Sequence, residues 1–531
     1  MGELWFGGTI YTMQKENEKV EAIYIENGTI TALGTKSELE HKYGSNIAKR
    51  IDIKDAVLYP GFVDSHMHLI GHGEKLLRLD LSNFTSPLEM KEALEKKVSE
   101  TKEGEWVFGE GWNENNFPDR KIFHVQELDE IAPNNPMILS RVCRHAVLVN
   151  SCALKLAGIT KETENPVGGV IVKDNEGEPT GYLLDAASDL VKNIIPRATE
   201  EYLYSALKTS INDCLSLGLT GSHSEDLSYY GSFTKTYDTF KKVIEQDGLN
   251  YRAHLLVHHE VVDDMQKEGH RYKDSTAFIE FGAMKIFADG ALGGRTALLS
   301  QPYNDAPETS GVEMHSKENL FALVKKARDY HMPVAVHTIG DLAFEYVLEA
   351  IELYPCPAGE KDRLIHAQIL RRELIDCAKK LPIILDIQPR FVATDFPWVI
   401  ERLGEERMNY CYAWKTLIDE GFICAGGSDA PIEPVDPLLG IHAAVTRTVP
   451  GDDTKTVYNE KERLSVFEAI RLFTLGSAEA IGAENKHGLV KEGYYADFTI
   501  LNKDLFLIAQ DEIVETEVEM TVVNGEIMYQ K

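Results

Sequence analysis

Two histidines one residue apart, His66 and His68, end a short apolar run that passes through Pro60-Gly61. If residues 62–68 are extended, side chains two positions apart point to the same side of the strand. The two imidazoles would then project together and form half of a metal site. A pair of surface histidines near a turn is the competing interpretation, and the spacing alone does not decide between the two.

Further candidate ligands follow downstream, each at the end of a strand-like run or within one. The predicted set of ligands is His66, His68, Lys285, His337, His366 and Asp429. Imidazole nitrogens and carboxylate oxygens suit zinc, and also manganese, iron or nickel. A single histidine at a strand end is usually structural, but several such positions in strand order are hard to assign to chance. We therefore expect one or two divalent ions, with zinc favoured.

Two members of this set have a special chemistry. An ammonium group is no metal ligand, so Lys285 would bind metal only after carboxylation by carbon dioxide, and an ion-paired lysine is equally compatible with the sequence. Asp429, in the segment Gly427-Ser428-Asp429-Ala430-Pro431, could accept a proton from a metal-activated water and pass it to the leaving group. Its structural alternative is to cap a turn or the next helix.

Strand-like runs and helical patterns alternate through the middle of the chain. The predicted strands are 283–287, 334–337, 363–366 and 423–429, and a helix is predicted over 317–331. This alternation predicts parallel βα units, and in a (β/α)₈ barrel the chemistry lies at the carboxyl ends of the strands. The fold class is therefore α/β, with a distorted TIM (β/α)₈ barrel over 57–486.

Both ends of the chain show short β-strand patterns instead. The predicted strands are 8–13, 21–26 and 29–33 near the amino end, and 496–501, 520–523 and 526–529 near the carboxyl end. Neither set is long enough to form a core alone, so we expect a small β-sandwich built from both termini, 1–56 with 487–531. Residues 75–200 fit the βα alternation poorly and are interpreted as an inserted cap region within the barrel.

Composition limits the partners. The 531 residues carry a formal net charge of −30, which argues against binding to nucleic acid or to an anionic membrane surface. No apolar run approaches the roughly 20 residues that span a bilayer, and no signal-peptide pattern opens the chain. The seven cysteines are widely spread without a Cys-x-x-Cys motif, which favours reduced thiols and a cytoplasmic location. A small-molecule substrate is expected, with a homodimer as a candidate assembly.

Several motifs resemble those of the metal-dependent amidohydrolase superfamily, and within it the branch that includes N-substituted formamide deformylases. The most specific are Pro60-Gly61-Phe62-Val63-Asp64-Ser65-His66-Met67-His68, Lys285-Ile286-Phe287-Ala288-Asp289-Gly290, Val336-His337-Thr338-Ile339-Gly340-Asp341, His366-Ala367-Gln368 and Gly427-Ser428-Asp429-Ala430-Pro431. The resemblance covers nearly the whole chain. It implies one or two divalent metals held by His66 and His68 from the first barrel strand, a carboxylated Lys285 from the fourth, His337 and His366 from the fifth and sixth, and Asp429 from the eighth.

The resemblance also suggests residues near the substrate. The segment 141–146 resembles a family stretch in which His145 faces the pocket, but Cys143-Arg144 stands where the family usually has Asp-Gly. Arg144 could therefore be a partner for a carboxylate or a phosphate. Asp185 stands where a glutamate is more usual. The remaining candidates for substrate contact, each with a structural role as its alternative, are Trp112, Asp289, Arg295 and Gln388.

The predicted function is that of a metal-dependent hydrolase of non-peptide carbon–nitrogen bonds, acting on a small amide, an N-formyl compound or a cyclic amide. Within enzymology, the alternative is an esterase, lactonase or dipeptidase on the same site. A catalytically silent metal-binding regulatory protein is the alternative of another class, disfavoured because Asp429 and the histidines occur together. Neither a Gly-x-Gly-x-x-Gly dinucleotide motif nor a phosphate-binding Gly-Lys-Ser/Thr loop is found.

Overall fold

The computed structural model describes residues 2–141, 146–166, 169–195, 199–396, 398–452, 454 and 456–531. Contacts divide the chain into two compact units. One unit comprises Met1–Gly73 with Glu200–Lys531, and the other comprises Glu74–Thr199. Among the described residues, no helix is long and apolar enough to cross a membrane.

Strands are numbered here in chain order. They are β1 (Gly2–Tyr11), β2 (Lys19–Glu26), β3 (Thr29–Gly34), β4 (Ile47–Asp52), β5 (Val57–Pro60), β6 (Phe62–Met67), β7 (Leu79–Asp80), β8 (Val107–Trp112), β9 (Met137–Arg141), β10 (Ala146–Val149), β11 (Gly169–Lys173), β12 (Pro179–Asp185), β13 (Leu219–Ser224), β14 (Arg252–His258), β15 (Ile279–Phe287), β16 (Val334–Thr338), β17 (Asp362–His366), β18 (Ile383–Ile387), β19 (Cys424–Gly426), β20 (Phe498–Leu501), β21 (Val518–Val523) and β22 (Glu526–Gln530).

The α-helices are α1 (Lys36–Tyr43), α2 (Leu69–Leu77), α3 (Pro87–Ser99), α4 (Val125–Ile131), α5 (Ser151–Leu156), α6 (Asp189–Lys192), α7 (Glu200–Ser216), α8 (Phe233–Lys241), α9 (Val262–Lys267), α10 (Lys317–Asp329), α11 (Asp341–Leu353), α12 (Arg372–Ala378), α13 (Phe391–Asp395), α14 (Trp398–Leu403), α15 (Trp414–Asp419), α16 (Pro437–Thr446), α17 (Val466–Arg471) and α18 (Ser477–Ala480). Two π-helical turns, Lys242–Gln246 and Leu472–Gly476, continue α8 and α17.

Among the described residues, eight strands form one parallel sheet in the order β6-β13-β14-β15-β16-β17-β18-β19. Its two edge strands are joined by backbone hydrogen bonds, because Asp429 N donates to His66 O at 2.7 Å and His68 N donates to Ala430 O at 2.8 Å. Leu256, Ala283, Ala335 and Ile365 from four of the strands pack together as a buried cluster. The predicted distorted (β/α)₈ barrel is confirmed.

Strands from both ends of the chain share a second sheet, in the order β22-β21-β20-β5-β1-β2-β3, with β4 also paired to β1. β1 pairs first with β4 and then with β5, and the backbone turns between these two stretches at Gly7 and Gly8, whose φ angles are 81° and 57°. A core that includes Trp5 and Phe498, with ring centroids 5.9 Å apart, joins residues from both ends. The carboxyl-terminal strands therefore complete a sheet that the amino-terminal strands begin.

The unit Glu74–Thr199 contains its own sheet, in the order β11-β12-β10-β9-β8-β7. The strands β8 and β9 run parallel, whereas β9, β10, β12 and β11 pair antiparallel. Two buried hydrophobic clusters flank the sheet, one around Trp112 and one around Val149. Helix α3 begins at Pro87, after Ser86 has accepted a hydrogen bond from Glu89 N. The unit therefore has the apolar interior that an independent compact body requires.

Candidate metal centre

The predicted ligands lie at the carboxyl ends of the barrel strands. His66 is in β6 and His68 follows it, while Lys285, His337 and His366 are in β15, β16 and β17, and Asp429 follows β19. These are the first, fourth, fifth, sixth and eighth strands in barrel order. The carboxyl ends of parallel strands meet at one rim of a barrel, so residues that are hundreds of positions apart can share a site.

His66, His68 and Asp429 form the centre of this site. Each offers one ligand atom, and the three atoms all lie within 4.8 Å of one another. Asp429 Oδ1 is 3.6 Å from His66 Nε2 and 3.7 Å from His68 Nε2. Two imidazole nitrogens and a carboxylate oxygen are a donor set that suits zinc and other divalent transition metals.

The other three predicted ligands surround this group. Lys285 Nζ lies 3.2 Å from His66 Nε2, and the His66 and His366 ring centroids are 5.7 Å apart. The His337 ring lies 4.4 Å from that of His366. All six predicted ligands are thus brought to one end of the barrel, although their role as ligands stays a prediction.

His366 reaches the site through an unusual backbone conformation. In the register of β16 with β17, Ile365 lies opposite His337 and packs in the interior cluster, so strict alternation would turn the next side chain away. Instead the chain leaves the extended conformation, with φ angles of 79° at His366 and 44° at Ala367. Such conformations are strained for non-glycine residues and gather at functional sites.

Hydrogen bonds set which nitrogen is free in three of the four imidazoles, those of His68, His337 and His366. His68 Nδ1 donates to Glu225 O at 2.6 Å, and His366 Nδ1 donates to Gln388 Oε1 at 2.7 Å, which leaves each Nε2 with its lone pair. His337 Nε2 donates to Gly290 O at 3.2 Å and leaves Nδ1 free. Partners of this kind orient metal-binding histidines and fix their tautomers.

A buried carboxylate connects the first strand to the loop after the last one. Asp64 Oδ1 accepts hydrogen bonds from His66 N at 3.0 Å and from Ser428 N at 3.2 Å, and Asp64 Oδ2 accepts from Ser428 N at 3.0 Å. Gly427 packs so closely here that a Cβ atom would lie 2.7 Å from His66 N. The spacing between the two segments that carry the ligands is therefore set by direct contact.

Burial controls the charge of the site. It lowers the pKa of His68 to about 4 and that of His337 to about 3, and the nearby Lys285 adds to both shifts. Burial also holds the pKa values of His66 and His366 well below their usual range. Neutral imidazoles keep the lone pair that a metal requires. Burial also lowers the pKa of Lys285 to about 8 and raises that of Asp429 to about 7.

The residues predicted to contact substrate are placed in different surroundings. The buried Asp289 accepts hydrogen bonds from Leu298 N and Gly340 N at 2.9 and 2.7 Å, and its Oδ1 lies 3.5 Å from His337 Nε2. Arg295 pairs with Asp305 at 2.7 Å.

Trp112 lies in the core of the unit Glu74–Thr199 and donates to Leu139 O at 3.0 Å. Cys143, Arg144 and His145, like the side chain of Asp185, lie outside the described part of the chain, and these roles in substrate contact stay predictions.

Two residues near the ligands were not singled out in the sequence. Asp64 could have been found, because it stands two positions before His66 on the same strand. Glu225 is fully buried, has an Oε2 atom 3.7 Å from His68 Nδ1, and accepts a hydrogen bond from Tyr229. It follows β13, whose sequence Leu219-Thr220-Gly221-Ser222-His223-Ser224 is too polar to be recognised as a buried strand.

The protein is a parallel eight-stranded barrel. Histidine and carboxylate side chains at its carboxyl rim form a candidate metal centre. The chain belongs to the amidohydrolase family, whose model matches residues 49–529. It is 52% identical over 531 residues to "Putative amidohydrolase YtcJ" of Bacillus subtilis, covering 100% of both chains. The resemblance to this family seen in the motifs is confirmed.

Two further relatives support the same assignment. The chain is 26% identical over 543 residues to the N-substituted formamide deformylase of Arthrobacter pascens, covering 98% of this chain and 97% of that one. The crystal structure of an uncharacterized metal-dependent hydrolase from Pyrococcus furiosus superimposes with a TM-score of 0.81 at 28% identity. That match covers 95% of this chain and 100% of the other.

Proposed function

We propose that the protein is a metal-dependent hydrolase of carbon–nitrogen bonds other than peptide bonds, acting on a small amide, an N-formyl compound or a cyclic amide. The observation that carries the proposal is the convergence of His66, His68 and Asp429, whose ligand atoms lie within 4.8 Å of one another. Family membership supports hydrolysis, and the formamide deformylase of Arthrobacter pascens supports a non-peptide carbon–nitrogen bond.

The residues present fit a divalent cation, with zinc favoured. The Nε2 atoms of His66 and His68 would hold it together with Asp429, and Lys285, His337 and His366 would hold the same ion or a second one. When bound, the cation would lower the pKa of a water molecule and polarise the carbonyl of the substrate. The neutral imidazoles would need no deprotonation before binding.

Asp429 has the proton-handling role in this proposal. Its carboxylate lies between the two histidines, 3.6 and 3.7 Å from their Nε2 atoms, and a carboxylate in this position can accept a proton from a water molecule held beside it. It would take the proton that the attacking water loses and give it to the departing nitrogen. The carbon–nitrogen bond breaks as the new carbon–oxygen bond is retained, so the products are an acid and an amine.

Lys285 is proposed to be carboxylated. Its side chain is fully buried, and among the described residues no carboxylate lies within the 4.0 Å ion-pair distance of Nζ. The contact of Nζ is instead with His66 Nε2 at 3.2 Å. Burying an unpaired ammonium is unfavourable, whereas a carbamate oxygen beside a cation is a ligand. Metal reconstitution in ¹³C-bicarbonate should give a carbamate carbon resonance that the variant Lys285→Met lacks.

The decisive experiment combines metal analysis with a substrate panel. Protein purified without chelator and supplied with zinc or manganese should retain at least one ion per chain. It should hydrolyse members of a panel of N-formyl amines, simple amides and cyclic amides faster than matched esters, lactones and dipeptides. Failure to retain an ion would contradict the proposal. Bound metal without turnover on the whole panel would favour a silent metal-binding protein instead.

A cytoplasmic location and a homodimeric assembly complete the proposal. The described cysteines are all free, namely Cys152, Cys214, Cys356, Cys377, Cys411 and Cys424, which is consistent with a reducing compartment. Fractionation of cells that express the chain at its natural level tests the location. Light scattering of the purified protein tests the assembly, for which a mass of twice 59.5 kDa is expected.

A further inference from the structure

A cavity lies at the end of the barrel opposite the candidate metal centre. It has a volume of about 410 Å³ and touches the amino-terminal residues of β14 and β15, Arg252 and Ile279. The segment after α18 and the ring of Tyr495 complete its wall. Small-molecule sites usually occupy about 300–1,000 Å³, so this cavity is large enough to hold a metabolite. Nothing in the proposed hydrolysis uses it.

The charged side chains that line this cavity are mainly cationic. Arg252, Lys273 and Lys486 line it, against the single carboxylate of Glu280. Arg252 and Lys273 pair with carboxylates that are not part of the lining: Arg252 with Asp497 at 2.6 Å, and Lys273 with Glu360 at 2.7 Å. Lys486 is exposed and makes no ion pair with any described residue.

The wall of the cavity is held rigidly. The Arg252 guanidinium lies 4.3 Å from the centroid of the Tyr495 ring and 5.4 Å from that of Phe278. His254 Nδ1 lies 3.0 Å from Glu280 Oε1, so the carboxylate that opposes the cations is already engaged. A Cβ atom at Gly282 would lie 2.2 Å from His254 Nε2, so the glycine leaves the space that this ring fills. A ligand would therefore meet a preformed surface.

A buried arginine without a full set of partners stands directly behind this wall. His254 and Arg363 both line a smaller cavity of about 20 Å³. Arg363 is 1% exposed, and its Nη1 atom has no hydrogen-bond partner among the described residues. Its other nitrogens donate to Asp386 Oδ2 at 2.8 Å and to Ser65 O at 2.7 Å. The smaller cavity has room for about one water molecule.

We propose that the larger cavity binds a small organic anion that carries a carboxylate or phosphate group. The chain as a whole has a net charge of −30, so its overall field repels anions and only a local group of cations can hold one. Lys486 supplies the uncommitted charge, and Arg252 and Lys273, each already paired with a carboxylate, supply further nitrogen donors at fixed positions. The hydroxyls of Ser275 and Thr276 and the ring of Tyr495 line the same space and suit the remainder of an organic ligand.

The test is calorimetric titration of the full-length, metal-replete protein at constant ionic strength. Succinate probes a carboxylate ligand, inorganic phosphate probes a phosphate ligand, and neutral succinamide is the control of matched size. Saturable binding of succinate or phosphate, but not of succinamide, is expected. Whichever of the two anions binds more tightly identifies the anionic group.

Variants locate the binding. Lys486→Glu should weaken the affinity for the anion at least fivefold, and Lys486→Gln should weaken it less. Ala277→Trp, which fills exposed space at the lining without a change of charge, should weaken it as well. Lys15→Glu reverses an exposed charge that is not part of the lining and should bind like the wild type. The proposal would be overturned if neither anion bound. It would also be overturned if Lys486→Glu and Ala277→Trp left the affinity unchanged, which is the result expected of anions that bind at the metal centre.

Discussion

The backbone N–H of Asp429 donates a hydrogen bond of 2.7 Å to the carbonyl oxygen of His66, so the first and last segments of the barrel meet at two predicted ligands of one cation. The contact that closes the barrel therefore also positions two of the predicted ligands. A shift between these two segments would change the 3.6 Å separation of His66 Nε2 and Asp429 Oδ1. Substitutions that disturb the packing between these two segments can therefore be tested by measuring metal binding.

Gly427→Ala should weaken metal binding at least tenfold, although Gly427 is not itself a predicted ligand. Its Cβ atom would lie 2.7 Å from His66 N and 2.8 Å from Asp64 Oδ1, so the two segments must move apart. Overpacking of this kind lowers the free energy of unfolding by about 1–3 kcal/mol. Metal titration followed by a chromophoric chelator measures the first effect, and denaturant unfolding measures the second. Gly44→Ala is the control, since its Cβ would have no atom within 4 Å.

Asp429→Asn should keep the metal but lose turnover by about 10²–10⁴-fold, because the amide cannot accept and return the proton. The remaining nitrogen ligands and the unchanged shape at Asp429 should preserve metal occupancy. Metal content and kcat on the best substrate of the panel check the two halves of the expectation. Asp419→Asn removes an exposed carboxylate and should leave both unchanged. Near-normal turnover in Asp429→Asn would refute the proton transfer.

Gln388→Leu should weaken metal affinity by about 10–100-fold. The Gln388 side chain accepts the hydrogen bond from His366 Nδ1 at 2.7 Å, and leucine has no acceptor to hold the ring and its tautomer. Competition with a chelator of known affinity gives the measurement. An affinity equal to that of the exposed control Gln510→Leu would show that Gln388 does not orient a ligand.

Arg252→Met should lower the free energy of unfolding by about 3 kcal/mol at neutral pH, because it leaves the carboxylate of Asp497 buried without its main partner. Arg252 pairs with Asp497 through two nitrogens, at 2.6 and 3.1 Å. Denaturant unfolding measures the loss. Arg372, whose side chain is 43% exposed, serves as the control in the variant Arg372→Met and should give a much smaller change.

The same pair sets a dependence of stability on pH. Burial alone would raise the pKa of Asp497, but Arg252 and His487 outweigh burial and hold it well below its usual range. A depressed pKa in the folded state stabilises the protein above the unfolded value of about 3.9, and the contribution is lost as the pH falls through the folded value. Without Arg252, burial raises the pKa of Asp497 in the variant, so the difference in stability between wild type and Arg252→Met should be largest at neutral pH and shrink as the pH falls through that raised value. A constant difference down to pH 2 would contradict this.

The metal-ligand candidates were accessible in the sequence because each belongs to a short motif with a recognisable apolar run before it. The fifth and sixth barrel strands, for example, are Val334–Thr338 and Asp362–His366 in the structure and were predicted from 334–337 and 363–366. The second, third and seventh strands were not, since Leu219–Ser224 is polar and neither Arg252–His258 nor Ile383–Ile387 leads into a predicted ligand. A strand can be recognised from its sequence pattern only when the flanking segments of the chain have a different pattern.

The sequence by itself determined the types of the predicted ligands and the order of the strands that carry them, because both follow from covalent connectivity. Only the tertiary structure decided how those ligands face one another. The left-handed backbone at His366 and the contact of Gly427 with His66 depend on atoms brought together from distant segments. The cationic cavity beneath the barrel has the same origin, since Arg252, Lys273 and Lys486 share no motif and meet only because the chain folds.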